Sequence, residues 1–240
     1  MRNKTFIGAI LMMLSFLAPA LGATDEEQER FRRGNEAYNR GQYQMAMIEY
    51  REALVLVGDH FTQAQYNIGI CYYELGRKAD AAIWFRAAVK ARNGNYPKAS
   101  YALGITLKEL SRWREAKTAF SQAVKASNGE MVEAVFMLGV ALYDEGDYNQ
   151  AVEHYQRAIK LSGDRIPACH NNLGVVLAVL GQMDRAEREF ETAIAQSKNR
   201  FDDALSNLRL CRWLRASQSP AIIAELKMSS VGQTGALKAE

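Results

Sequence analysis

Residues 101–123 read YALGITLKELSRWREAKTAFSQA, and this stretch decides the fold because its pattern recurs along the chain. Its glycine belongs to a column of glycines spaced 35 residues apart, namely Gly34, Gly69, Gly104, Gly139 and Gly174. Sixteen residues after each column glycine stands an aromatic residue: Tyr50, Phe85, Phe120, Tyr155 and Phe190. Alanines lie four residues before and three residues after each of these rings, which is the spacing of one buried helical stripe. A fixed period of this length predicts a stack of repeated units with a continuous core.

Each repeat is predicted to be a pair of antiparallel helices. The first helix contains the column glycine, and its apolar stripe includes residues such as Leu103 and Leu107. Seven residues after the column glycine the chain breaks at Gly41, Gly76, Gly146 and Gly181, with Ser111 in the third repeat. The junctions between repeats carry Gly, Asn, Asp and Lys residues, most of which accept the left-handed conformation that closes a helix. These signals predict repeats at residues 27–61, 62–96, 97–131, 132–166 and 167–201.

The two ends of the stack have the charge expected of caps. Arg30 and Arg33 stand where later repeats carry their first-helix apolar stripe, and Arg209 takes the place of the next column glycine. Residues 202–215 are therefore predicted to form a solvating cap helix. The residues predicted to cover the fifth repeat are Leu205, Leu208 and Trp213.

The capping region is predicted to extend over residues 202–228. Ser219 and Pro220 predict the start of a second short helix with the sequence AIIAELKM, which ends at Met228. Residues 229–240 are predicted to be disordered.

The pattern resembles the tetratricopeptide repeat, whose signature is W-x2-L-G-x2-Y…A-x3-F…P. The stretches YALGITL, FMLGVAL and NNLGVVL match its core, and the resemblance covers residues 27–215. The chain departs from the signature at the tryptophan position, which holds Arg30, Gln65, Ser100, Val135 and His170. The resemblance implies an all-α, right-handed solenoid whose first helices line a concave groove. It also implies a non-catalytic protein that binds a protein or peptide partner.

The face of the first helices opposite their packed stripe is the predicted binding surface, called here the groove face. It comprises the positions six and three residues before each column glycine and one, four and five residues after it. The predicted binding residues are Phe31, Asn35, Tyr38, Tyr66, Ile70, Tyr73, Glu74, Lys98, Tyr101, Ile105, Glu109, Phe136, Val140, Tyr143 and Asp144.

This composition predicts an extended or helical peptide with apolar anchors and some positive charge, because aromatic residues dominate contact energy and the rim of the face is acidic. Two alternatives remain open for the same residues. The rings could pack the seams between helices, or they could stack the sugars of a glycan strand, as in polysaccharide export.

One known groove of the family holds a C-terminal carboxylate with a defined set of basic and asparagine side chains. By resemblance, Asn35, Asn67 and Lys98 fall on three of those positions. Phe31 and Ala102 occupy the other two, and neither side chain binds a carboxylate. This kind of clamp is therefore not expected to function here.

Residues 1–23 are predicted to be an export signal, with a basic start (MRNK), an apolar run over residues 6–17 and small residues around Ala20. The predicted location is extracytoplasmic and periplasmic. The alternative is an uncleaved membrane anchor whose repeats face the extracytoplasmic side and dock a neighbouring subunit. The net charge of +3 falls to +1 without Arg2 and Lys4, which argues against a nucleic-acid partner.

No catalytic, cofactor-binding or metal-binding pattern is present in the sequence. The three histidines lack metal-ligand spacing, and the glycines are isolated helix or turn residues. Cys71, Cys169 and Cys211 are predicted to be small apolar core residues. A reactive thiol or a single disulfide bridge is the alternative.

Overall fold

The computed structural model describes residues 25–57, 62–217 and 225–229, in which eleven α-helices and no β-strand occur. The predicted export signal and the tail beyond residue 229 lie outside the described residues. None of the described helices is long and apolar enough to cross a membrane.

The helices form five antiparallel pairs and one final helix. In chain order they are α1 (Asp25–Asn39), α2 (Tyr43–Val57), α3 (Thr62–Glu74), α4 (Lys78–Ala91), α5 (Pro97–Glu109), α6 (Trp113–Ala126), α7 (Val132–Asp144), α8 (Tyr148–Leu161), α9 (Pro167–Val179), α10 (Met183–Gln196) and α11 (Asp202–Ser217). Each helix packs on the helix before it and the helix after it. The predicted right-handed, all-α solenoid of helix pairs is confirmed.

The turns inside the repeats have the left-handed backbone that the sequence predicts. Gly41, Gly76, Gly146 and Gly181 have φ values of 73°, 72°, 83° and 75°, and Ser111 has φ 59°. At the third turn, the amides of Ser111 and Arg112 donate to the carbonyls of Lys108 and Leu107, which closes α5. Ser111 therefore occupies a conformation that glycine adopts without steric cost.

The junctions between repeats close in the same way. The residues with positive φ at the described junctions are Asn93, Gly94, Asn128, Gly129, Gly163, Asp164, Lys198 and Asn199. The first junction, at residues 58–61, lies outside the described residues.

Each column glycine makes room for the aromatic ring sixteen residues later, on the second helix of the same repeat. A Cβ atom on Gly34, Gly69, Gly104 or Gly174 would lie 2.5–2.7 Å from the nearest atom of that ring. The corresponding distance at Gly139 is 3.0 Å, to Tyr155. The absence of a side chain at this column thus lets the two helices of a repeat pack closely around a buried ring.

The final helix α11 covers the end of the stack, as predicted for Leu205 and Leu208. Both side chains pack on a buried cluster that contains Ala193 and Ile194 of α10. Trp213, the third residue predicted to cover the fifth repeat, has 47% of its surface exposed. The neighbouring Arg212 pairs with Glu187 and Glu191 of α10.

The second predicted cap helix does not continue through its C-terminal residues. Leu226, Lys227 and Met228 are non-helical, and residues 218–224 lie outside the described residues. The backbone groups of Lys227 pair with the side chain of Asn207 instead of with a helical turn. Ser229, placed in the disordered tail by the sequence, is buried and hydrogen-bonded.

Candidate functional site

Direct side-chain hydrogen bonds join α3 to α5 and α9 to α11 on or beside the groove face. The hydroxyl of Tyr73 on α3 donates to Glu109 on α5 at 2.6 Å. The amide of Asn207 on α11 donates to Asn171 on α9 at 2.9 Å. Residues from different repeats therefore contribute to one surface.

Four rings of the groove face lie behind this surface, packed on the column of aromatic residues. Phe31, Tyr66, Tyr101 and Phe136 lie 5.5–6.0 Å, between ring centroids, from Tyr50, Phe85, Phe120 and Tyr155. Tyr66, Phe136 and the nearby Ile70 are buried, while Phe31 and Tyr101 are partly exposed. These rings pack the seams between helices, which is the alternative that the sequence left open, and the three buried residues support the groove from below.

The row of residues four positions after the column glycines is more accessible. Tyr38 and Tyr143 each pack on a tyrosine at the start of the next helix, Tyr43 and Tyr148, with ring centroids 5.6 Å apart. Burial and the neighbouring Glu109 carboxylate raise the pKa of Tyr73 above its ordinary value, so its phenol remains a neutral hydrogen-bond donor.

The third repeat breaks this row, because Lys108 stands where a tyrosine is expected. A pocket of about 1110 Å³ opens at this point between α5, α6 and α7. Its lining combines Val140 and Asp144 of the predicted groove with Trp113, which is 51% exposed. The pocket offers an apolar wall next to charged groups, which is the combination that fixes and orients a bound side chain.

Charges of both signs surround the pocket. Arg112 pairs with Glu115 at 2.7 Å, and Lys117 pairs with Glu145 at 2.5 Å. Partial desolvation raises the pKa of Asp144, an effect that the positive charge of Lys108 opposes. The paired groups hold the rim in place, and Asp144 is available for a donor or a cation.

The remaining predicted groove residues are spread along the same face. Glu74, Lys98 and Glu109 are exposed, and Ile105 is partly exposed. Lys78 pairs with Glu109 at 2.9 Å, which adds to the tyrosine contact described above. The structure thus brings Val140 and Asp144 together with Trp113 at the pocket, and it joins Tyr73 to Glu109 elsewhere on the same face.

Asn35 and Asn67, which resemble parts of a carboxylate clamp, are engaged with their neighbours. The Oδ1 atom of Asn35 accepts hydrogen bonds from Tyr50 at 2.6 Å and from Asn67 at 3.3 Å. Asn67 is fully buried. The two amides therefore tie the first two repeats together.

The thiols are core residues, as predicted. Cys71, Cys169 and Cys211 are buried and free. Burial raises the pKa of Cys71 and of Cys169 to about 12, so neither carries a reactive thiolate at neutral pH. Among the described residues, no cluster of His, Cys, Asp and Glu side chains could hold a metal ion.

Sequence reasoning missed Trp113 as a site residue. The available signal was the combination of two local departures, a lysine in the tyrosine row and a tryptophan at the start of the next helix. The lysine is Lys108, and the tryptophan is Trp113, with which α6 begins. Together they convert a packed ring pair into an opening.

Stacked pairs of antiparallel helices define the protein as a helical-repeat solenoid, a class that presents an extended binding surface. The chain belongs to the tetratricopeptide repeat family, whose model matches residues 31–97, 101–166 and 141–200.

Several solved structures share the fold at low sequence identity. MamA is 19% identical with a TM-score of 0.64, over 72% of this chain and 92% of MamA. YrrB, described as a tetratricopeptide repeat protein with an unusual peptide-binding site, is 21% identical with a TM-score of 0.63, over 83% and 93% of the two chains. PilF of Pseudomonas aeruginosa is 16% identical with a TM-score of 0.65, over 83% and 89%. No curated protein matches the sequence.

Proposed function

We propose that this protein is a non-catalytic interaction scaffold that binds a peptide or helix of a protein partner on its groove face. The observation that carries the proposal is the pocket where the exposed Trp113 of α6 meets Val140 and Asp144 of that face. An apolar side chain of the partner enters the pocket, and a neighbouring basic group meets Asp144. Exposed tryptophans in such pockets are the residues that contribute most to binding energy.

Two tryptophans of similar exposure make a matched test of this site. Trp113 lies in the pocket, and Trp213 lies on the cap helix with 47% of its surface exposed. Trp113→Ala is expected to weaken partner binding by about tenfold or more, because truncation of an interface tryptophan commonly costs about 2 kcal/mol. Trp213→Ala is expected to leave binding unchanged. Equal losses in both variants would contradict a site in the pocket.

Partner capture is best measured with a photo-crosslinking amino acid placed at Val140, in cells that produce the protein naturally. The control position is Gln156, which is exposed on the second helix α8. A protein adduct is expected at position 140 only, and it should disappear in the Trp113→Ala background. The same adducts at both positions would indicate non-specific contact, and a saccharide adduct at position 140 would favour the glycan alternative.

The scaffold is proposed to act outside the cytoplasm, in the assembly of an envelope complex. The proposal rests on the basic, apolar and small-residue order of residues 1–23. Sequencing the N-terminus of the protein from its native source tests it. A mature chain that starts near Ala23 is expected, whereas retention of Met1 would favour the membrane-anchored docking subunit.

A further inference from the structure

Helices α9 and α11, at the C-terminal end of the stack, bind a segment of the same chain that contains Lys227 and Ser229. Asn172 on α9 and Asn207 on α11 stand 35 residues apart, each at the register two positions before the column residue. The Asn172 amide donates to the carbonyl of Ser229 and accepts from its N–H, both at 2.8 Å. Asn207 makes the same pair of hydrogen bonds with the backbone of Lys227, again at 2.8 Å.

The hydrogen bonds from Asn172 and Asn207 are made to backbone atoms of the segment and not to its side chains. The backbone N–H and C=O groups of residues 227 and 229 are both bound, as expected of an extended chain, in which these groups point to the same side at every second residue. The side chain of Lys227 is exposed. Asn171 adds a hydrogen bond to the Lys227 carbonyl at 3.0 Å and buttresses Asn207 at 2.9 Å.

The asparagines form a site built for a peptide, because they are buried and the segment uses their polar atoms. Asn171, Asn172 and Asn207 are at most 1% exposed. The segment is the backbone hydrogen-bond partner of the Asn172 and Asn207 side chains, and an unsatisfied buried amide costs about 1–3 kcal/mol. The fifth repeat is also where the groove face carries Asn171 in place of the ring found in earlier repeats.

Two side chains of the segment are recognised as well. Leu226 is buried in the main hydrophobic cluster. The Ser229 hydroxyl donates to Asp203 and accepts from Asn171, both at 3.0 Å. The site therefore selects an aliphatic residue and, three positions later, a residue with a hydroxyl group.

We propose that α9 and α11 form a backbone-directed peptide-binding site, specific for an extended segment with this aliphatic and serine spacing, that Leu226–Ser229 occupies in cis. This proposal rests on the proposed function in one respect: a segment of a protein partner, with the same aliphatic and serine spacing, competes with residues 226–229 for the site. Only seven residues separate α11 from Glu225, and a short tether gives an effective concentration of the order of millimolar. A partner segment must therefore displace the chain's own segment before it binds at this α9–α11 site.

The test uses the full chain and a fluorescent peptide, AIIAELKMSSV, which copies residues 221–231. The double variant combines Leu226→Asp, which removes the aliphatic contact, with Ser229→Pro, which removes the N–H group that donates to Asn172. Together these substitutions are expected to release the segment. We expect the peptide to bind this released variant at least about tenfold more tightly than it binds the wild-type chain, as measured by fluorescence anisotropy. Equal affinity for the two chains would overturn occupancy in cis.

A second comparison tests the chemistry of the site without disturbing the buried asparagines. Asp203 is only partly buried, and its substitution Asp203→Ala in the released background should weaken the peptide several-fold. A peptide with alanine in place of the first of its two serines, which corresponds to Ser229, should show a similar loss and no further loss with Asp203→Ala. Independent, additive losses would overturn the hydroxyl contact, and no binding to a released variant with native circular dichroism would overturn the site.

The segment could also be exchanged between two copies of the chain. A wild-type chain that is dimeric in solution and becomes monomeric with Leu226→Asp would overturn occupancy in cis in favour of exchange. A monomeric wild-type chain is expected. Neither experiment involves the partner captured through Val140, so this proposal and the scaffold proposal fail separately.

Discussion

The ring of Phe120 lies directly against the backbone of Gly104, so that a Cβ atom on Gly104 would be 2.5 Å from Cε1 of the ring. Phe120 is itself almost fully buried, which leaves its ring little room to move. This contact recurs in every repeat and explains why a residue with poor helix propensity stands in the middle of a helix.

Gly104→Ala is therefore expected to lower the free energy of unfolding by up to about 2 kcal/mol. Overpacking a core typically costs about 1–3 kcal/mol, and the better helix propensity of alanine offsets about 1 kcal/mol of that. Urea unfolding followed by circular dichroism measures the change. Gly139→Ala is the matched control with a smaller expected loss, because its nearest ring atom is 3.0 Å away. A higher melting temperature for Gly104→Ala would contradict the packing described here.

Ser111→Gly is expected to have the opposite effect and to stabilise the protein by about 0.5–1 kcal/mol. Ser111 holds φ 59° in a turn where the other repeats have glycine, and removing its Cβ atom relieves that strain. Ser121 provides the control, since it is exposed within α6 and its replacement by glycine should cost about 0.5 kcal/mol. If both substitutions lowered the urea midpoint equally, the turn at Ser111 would carry no strain.

The sequence predicts the fold well because its decisive contacts repeat at a fixed spacing. The pairing of Gly104 with Phe120 and the left-handed turn at Ser111 are local to one repeat, and five copies make the pattern unambiguous. The candidate site depends on departures from the repeat and on contacts distant in sequence. Whether Phe136 is buried while Tyr101 stays partly exposed depends on how neighbouring helices cross, which a helical wheel does not show.

The C-terminal segment is a second case in which contacts between residues distant in sequence could not be predicted. Residues 221–228 have a helical pattern, yet Lys227 finds its hydrogen-bond partner in Asn207, 20 residues earlier. Ser229 finds its partner in Asn172, 57 residues earlier. Tertiary contacts of this kind override local helix propensity, and no local sequence pattern predicts them.

The three native thiols are expected to resist modification until the protein unfolds. Burial raises the pKa of Cys71 and Cys169 to about 12, and all three cysteines are inaccessible in the folded chain. A chromogenic disulfide reagent at pH 8 should therefore react with no thiol in buffer and with three in urea. The variant Ser121→Cys, which adds an exposed thiol on α6, should react at once with a single equivalent. Rapid reaction of the native thiols would contradict the packing of these residues.

His170 is expected to make stability depend on pH on the alkaline side of neutrality. The residue stands at the start of α9, and its two ring nitrogens face Glu189 at 2.7 Å and Asp164. Burial alone lowers the pKa of His170, but the hydrogen bonds to Glu189 and Asp164 outweigh burial and raise it above the ordinary value. The charged imidazolium thus stabilises the fold fully below the unfolded pKa of about 6.5, and this contribution is lost as the pH rises through the folded pKa.

The measurement is the urea midpoint at a series of pH values from 6 to 9. The midpoint of the wild-type chain should fall over this range, and His170→Gln should remove that fall because glutamine carries no proton to lose. His154→Gln is the control, since the ring of His154 is hydrogen-bonded to the carbonyl of Gln150 and has no carboxylate partner among the described residues, so the wild-type pH dependence should stay in place. A wild-type midpoint that instead rises between pH 6 and 9 would mean that His170 is neutral between its two carboxylates.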